Sequence, residues 1–149
     1  MRFRLRTLLI VLALGAAGLL TWWCMFQQNQ RALAHYGSEA VQLMQEASLV
    51  QVINGEQTKV VDISKSPELS QMRSLLLDDG NYDWSASDPR SDATNFSIQF
   101  RNGNKSLTLF FDFENNTIQT YPDMTTAQLK RDAVKRWISL ASRQFTVEQ

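Results

Sequence analysis

The stretch Phe96–Tyr121, FSIQFRNGNKSLTLFFDFENNTIQTY, decides the fold. Phe96, Ile98 and Phe100 alternate with Ser97, Gln99 and Arg101. Leu107, Leu109, Phe111 and Phe113 then alternate with Thr108, Phe110 and Asp112. A period of two places successive side chains on opposite faces of a strand. Asn102-Gly103-Asn104 and Asn115-Asn116 are turn signals, so the chain folds back twice, the third strand running from Thr117 to Tyr121. One face of this antiparallel sheet is apolar and the other wetter, the pattern of a sheet covered on one side. Phe110 and Tyr121 fall off the apolar phase, which predicts an exposed aromatic pair on the outer face.

On the amino-terminal side, Leu49–Ile53 and Lys59–Ile63 are rich in β-branched residues and are separated by Asn54-Gly55, which predicts a hairpin. Ser66 is a good N-cap, Pro67 suits the first helical position and Glu68 the positive helix end. That helix should reach about Leu77 and bury Leu69, Met72 and Leu76, with Leu75 at the margin of that face and Gly80 as a left-handed cap. Earlier still, Leu33, Tyr36, Ala40, Met44 and Ala47 recur at helical steps in Gln28–Ala47, with Gly37 a soft point. Beyond the sheet, Pro122-Asp123 ends the strands and Thr125 caps a last helix from about Thr126 to Phe145. Its buried stripe is Leu129, Ala133, Trp137, Leu140 and Ala141, widened by Val134, Ile138 and Phe145. The expected order is α-β-β-α-β-β-β-α, an α+β domain with an antiparallel sheet of about five strands and helices on one face. Asn81–Thr94 is its longest loop, with Tyr82 and Trp84 as its large apolar groups.

Ahead of this domain, Thr7–Phe26 reads TLLIVLALGAAGLLTWWCMF, an uncharged apolar run preceded by Arg2, Arg4 and Arg6. At 1.5 Å per residue such a helix reaches the roughly 30 Å of a bilayer core. The arginines predict a cytoplasmic amino terminus, and Trp22 and Trp23 suit the far interface. The chain therefore divides into a basic cytoplasmic tip (1–6), a signal-anchor helix embedded in the bilayer (7–26) and an extracytoplasmic domain (27–149). The alternative is a cleaved signal peptide and a secreted domain. Leu19, Leu20 and Trp22–Phe26 continue the apolar run where a signal would turn polar, which favours the anchor. A lipoprotein signal needs a small residue before its cysteine, and Trp23 precedes Cys24, so Cys24 reads as a packing residue. The opening MRFRLRTLLIVLALG resembles the first residues of short, uncharacterised bacterial single-pass membrane proteins. The resemblance implies an envelope protein of bacterial type and carries no catalytic residue.

The chain has 15 basic and 15 acidic residues; without Arg2, Arg4 and Arg6, 12 basic remain against 15 acidic. This balance does not point to nucleic acid. Lys130, Arg131, Lys135, Arg136 and Arg143 make the last helix basic, but Asp132 interrupts them and the pattern reads as a solvated face. The one cysteine lies in the apolar run, so the domain has no disulfide or thiol chemistry. His35, the one histidine, has no partner histidine or external cysteine and reads as a surface residue. Asp79, Asn81 and Asp83 match the first three ligand positions of a calcium loop, but Trp84 stands where glycine is needed and Arg90 where a bidentate glutamate is needed. No metal or cofactor is implied. Phosphate-loop and nucleophile-elbow motifs are absent from the sequence. The leading expectation is a non-enzymatic interaction or accessory domain for an envelope protein partner, contacting it through Tyr82, Trp84, Phe110 and Tyr121. A binding module for a small molecule or envelope polymer is the alternative. A hydrolase drawing its acids from Asp78, Asp79, Asp83 or Asp112 is the weaker one.

Overall fold

A computed structural model of the chain describes residues 15–19, 30–56, 58–86, 89 and 94–146. The expected membrane span, 7–26, lies outside these residues except for 15–19, an exposed helical stretch. Among the described residues no helix is long and apolar enough to cross a membrane. The elements are α1 (Gln30–Glu46), β1 (Leu49–Asn54), β2 (Val60–Asp62), α2 (Glu68–Leu77), a 3-10 turn (Asp79–Asn81), β3 (Phe96–Asn102), β4 (Lys105–Asp112), β5 (Thr117–Tyr121), β6 (Thr126–Gln128) and α3 (Arg131–Thr146).

The strands form one antiparallel sheet of order β2-β1-β3-β4-β5-β6. Its register stacks the apolar phase of each strand in rungs. Val50 faces Phe100, which faces Leu107; Val52 faces Ile98, which faces Leu109; Phe96, Phe111, Ile118 and Ala127 make the next rung. These side chains form a single core with Ala32, Tyr36, Val41 and Met44 of α1, Leu69, Met72, Leu75 and Leu76 of α2, and Trp137, Leu140 and Ala141 of α3. All three helices therefore cover the same face. Trp137 is fully buried, its ring centre 4.6 Å from that of Phe111. The outer face carries half-buried Gln51, Gln99, Thr108, Phe110 and Gln119 and exposed Arg101 and Tyr121, while Ser97, Asp112 and Thr117 at its other end are buried.

The sheet has six strands, not five, because Thr126–Gln128 is a strand and not the first turn of a helix. Thr125 closes a turn instead of capping, its carbonyl accepting from Thr120 N at 2.9 Å. Thr126–Gln128 then pairs with Gln119–Thr117. Ala127 and Leu129 sit two residues apart, so both point to the core from an extended chain. Helix α3 begins at Arg131, where the Lys130 carbonyl accepts from Ala133 N and Val134 N. Ile138, expected to widen the buried stripe, is exposed.

Gly37 has φ 78° and ψ 159°, a conformation open essentially to glycine alone, and it kinks α1. The kink resets the helical phase. Ala32 and Tyr36 are buried before it, Val41 and Met44 after it, and Leu33, expected on the buried face, is exposed. Ser66 behaves as expected: its hydroxyl accepts from Glu68 N at 3.3 Å while Pro67 has helical angles. Gly80 is not a left-handed cap. The chain leaves α2 through extended Asp78, whose carboxylate accepts from Gly80 N at 2.8 Å.

Helix α1 runs from Asp79 at one end of the domain to the β3–β4 turn at the other, where Asn102 Nδ2 donates to the Glu46 carbonyl at 3.3 Å. The β5–β6 turn shares that second end, since Tyr121 pairs with Thr108 near the start of β4. Residue 30 thus lies at the end of the domain opposite the two turns.

The β1–β2 turn leans on the start of β3. Gly55 N donates to the Asn95 carbonyl at 2.9 Å, and a Cβ at Gly55 would lie 2.2 Å from the Thr94 carbonyl oxygen. Gly55→Ala must separate two backbones and is expected to cost about 1–3 kcal/mol in denaturant melts. Gly37→Ala, which meets open space but loses its permitted angles, is expected to cost about 1–3 kcal/mol.

Candidate functional site

The segment from Asp78 to Trp84 knits together elements far apart in sequence. Asp79 accepts from Arg31 N at 3.0 Å and from Ala32 N at 2.6 Å, closing the start of α1. Asn81 is buried; its Nδ2 donates to the Leu75 carbonyl at 2.9 Å and its Oδ1 accepts from Arg136 Nη2 at 2.6 Å. Its carbonyl accepts from Lys130 N at 2.8 Å, and Tyr82 bridges Leu129, so the segment lies along the β6 side of the sheet. The Tyr82 hydroxyl donates to the Leu76 carbonyl at 2.7 Å. Its single proton is thereby used, and the Tyr36 hydroxyl donates to it at 2.7 Å. Burial pushes both phenols above their ordinary range and keeps them protonated.

The four aromatics expected to form one contact surface are divided between two places. Tyr82 is 2% exposed and belongs to the core. Trp84 is half-buried and stacks on Tyr82 with ring centres 4.8 Å apart. Phe110 and Tyr121 occupy the outer face as expected from their phase: Phe110 faces Ser97 and Gln119, and Tyr121 faces Thr108. Phe110 is half-buried and Tyr121 is 54% exposed. Next to Tyr121, past Pro122 and Asp123, Met124 is 56% exposed. Sequence reading passed over it, although an apolar side chain in a turn has no core to enter and was itself a signal.

An open cleft of about 810 Å³ lies beside the knot, lined among others by Arg31, Asp78, Asp79, Asp83, Trp84 and Lys130. Its carboxylates are engaged locally. Those of Asp79 and Asp78 hold backbone amides, and Asp83 accepts from Ser85 N at 3.1 Å and from Ser85 Oγ at 2.5 Å. The Ser85 bonds hold Asp83 below the usual carboxylate range, the wrong direction for a proton donor at neutral pH. Asp112 is elsewhere, buried at the end of β4, where it accepts from Glu114 N and Asn115 N, each at 3.0 Å. Among the described residues, no group of three or more His, Cys, Asp or Glu is placed to hold a metal. His35 is not a free surface residue. It is half-buried, with ring centres 5.1 Å from Tyr36 and 5.6 Å from Trp84, and its Nε2 has no hydrogen-bond partner. Burial lowers its pKa.

No protein family, curated protein or solved structure matches the chain.

Tyr82→Phe removes the acceptor of the Tyr36 hydroxyl and the donor to Leu76, and should destabilise by about 1–3 kcal/mol in denaturant titrations. His35 makes stability depend on pH. The folded imidazole binds a proton less readily than the unfolded one, so protons favour unfolding as pH falls below 6.5. Melting followed from pH 8 downward should show stability falling near that value, above the range where Asp62, Glu68 and Asp83 titrate. His35→Gln should remove this part of the slope.

Proposed function

We propose that the chain is a membrane-tethered protein of the bacterial envelope type, whose extracytoplasmic domain is a non-enzymatic interaction module for another envelope protein. One observation carries the reading. Tyr121 and Met124 are each more than half exposed on a single turn, at the end of the domain opposite residue 30. Aromatic and methionine side chains are enriched where proteins meet, and exposed apolar groups gathered in one patch mark such sites. A tether entering at residue 30 would present this turn away from the bilayer. Phe110 extends the patch along the outer face, whereas Tyr82 supports the fold and takes no part in the contact.

A second reading, a binding module for a small molecule or envelope polymer, draws on the cleft lined by Arg31, Trp84 and Lys130.

Mild crosslinking in the native membrane, followed by purification and mass spectrometry, separates the two. The interaction reading expects one stoichiometric partner, lost when Tyr121 and Met124 are changed to serine. Those exposed substitutions should leave stability within about 0.5 kcal/mol. A chain recovered alone would overturn the interaction reading and favour the cleft.

A further inference from the structure

We infer that the groove between the second half of α1 and the two turns facing it receives a short partner segment in which lysine or arginine alternates with apolar side chains. This rests on the interaction reading above and names the partner's chemistry. The groove lies on both sides of the ion pair between Lys105 Nζ and Glu39 Oε1, which are 3.2 Å apart. The larger side, about 360 Å³, is bounded by Ala40, Leu43, Leu107 and Pro122, with Asp123 at its rim. The smaller, about 190 Å³, is bounded by Gln42, Leu43, Glu46 and Asn102. Leu43, Glu39 and Lys105 line both, so the two sides meet at the ion pair and share one apolar side chain.

Charge decides the occupant. Glu39, Glu46 and Asp123 border the groove, and among the described residues that line it Lys105 is the one cation. The Lys105 and Glu39 side chains are 72% and 86% exposed, and a pair so open to water is held only weakly. An incoming lysine or arginine replaces Lys105 at Glu39, and a second meets Glu46, while apolar neighbours settle on Leu43 and Ala40. The same acidic border repels anionic lipid and nucleic acid. The groove adjoins Tyr121 and Met124 through Pro122-Asp123, so a bound segment continues onto the exposed turn.

Photocrosslinking in the native membrane tests this with the full chain. Benzoylphenylalanine is placed separately at Asn104 and Gln42 on the groove rim, both exposed, and at Tyr121 on the turn. The expected result is a crosslink from the rim positions to one protein, mapped by mass spectrometry to a segment of alternating basic and apolar residues. Glu39→Lys with Glu46→Lys should weaken that crosslink by about tenfold without shifting the melting curve. A crosslink from Tyr121 with none from Asn104 or Gln42 overturns the groove and leaves the interaction reading standing. Rim crosslinks to lipid, or to an acidic or uncharged segment, or crosslinks that ignore the charge reversals, also overturn the groove. Silence at all three positions overturns both.

Discussion

The buried hydroxyl of Tyr82, holding Leu76 on one side and held by Tyr36 on the other, belongs to a knot on which the arrangement of the helices depends. A helix ends with carbonyls that have no partner within it, and begins with amides in the same condition. Leu75 and Leu76 carry such carbonyls at the end of α2, and they are met by Asn81 Nδ2 and the Tyr82 hydroxyl. Arg31 and Ala32 carry such amides at the start of α1, and they are met by Asp79. A few residues thus serve the end of one helix and the start of another. They also reach α3 through Arg136 and the sheet through Leu129. The bonds of Asn81 to Leu75 and of Tyr82 to Leu76 and Tyr36 are buried, where a polar group is costly to leave unpaired.

That constraint redistributes the surface available for function. Acidic and aromatic residues between Asp78 and Trp84, which in isolation suggest a ligand or a catalytic acid, are engaged in holding the fold. Their oxygens are directed at amides of their own chain, and Tyr82 is withdrawn from solvent. At the opposite end Tyr121 and Met124 are exposed on their turn, beside a groove lined by Ala40, Leu43 and Leu107 and bordered by Glu39 and Asp123. The kink at Gly37 sits between these regions. It lets the first part of α1 answer to the knot and the second part to the sheet, with different sides turned inward.

The outward-pointing phase of Phe110 and Tyr121, the β1–β2 hairpin, and the cap at Ser66 were legible because each depends on neighbours within a few residues. The sixth strand was not. Thr126–Gln128 has no local property that excludes a helical turn, and the spacing of Leu129 and Ala133 suits a helix equally well. Its conformation is set by the free edge of β5, which offers hydrogen bonds to whatever chain returns after the β5–β6 turn. Tyr82 was misplaced for a related reason. In a polar loop its ring resembles a contact residue, and nothing local reveals that Tyr36 and the Leu76 carbonyl are waiting for its hydroxyl.

By itself the sequence determined the class of the fold, because alternation of period two and helical stripes of apolar residues report which side of each element must leave water. It also located the turns, since Asn54-Gly55 and Asn102-Gly103 mark where the backbone can reverse. Strand order, the sixth strand, the reset of phase in α1 and the separation of the four aromatics were decided only by tertiary structure. They depend on which unpaired backbone groups and which buried hydroxyls meet in the assembled chain, some close in sequence, as β5 and β6 are, and some more than 40 residues apart, as Arg31 and Ala32 are from Asp79. Pairing of that kind is a property of the assembled interior, and no local pattern of residues encodes it.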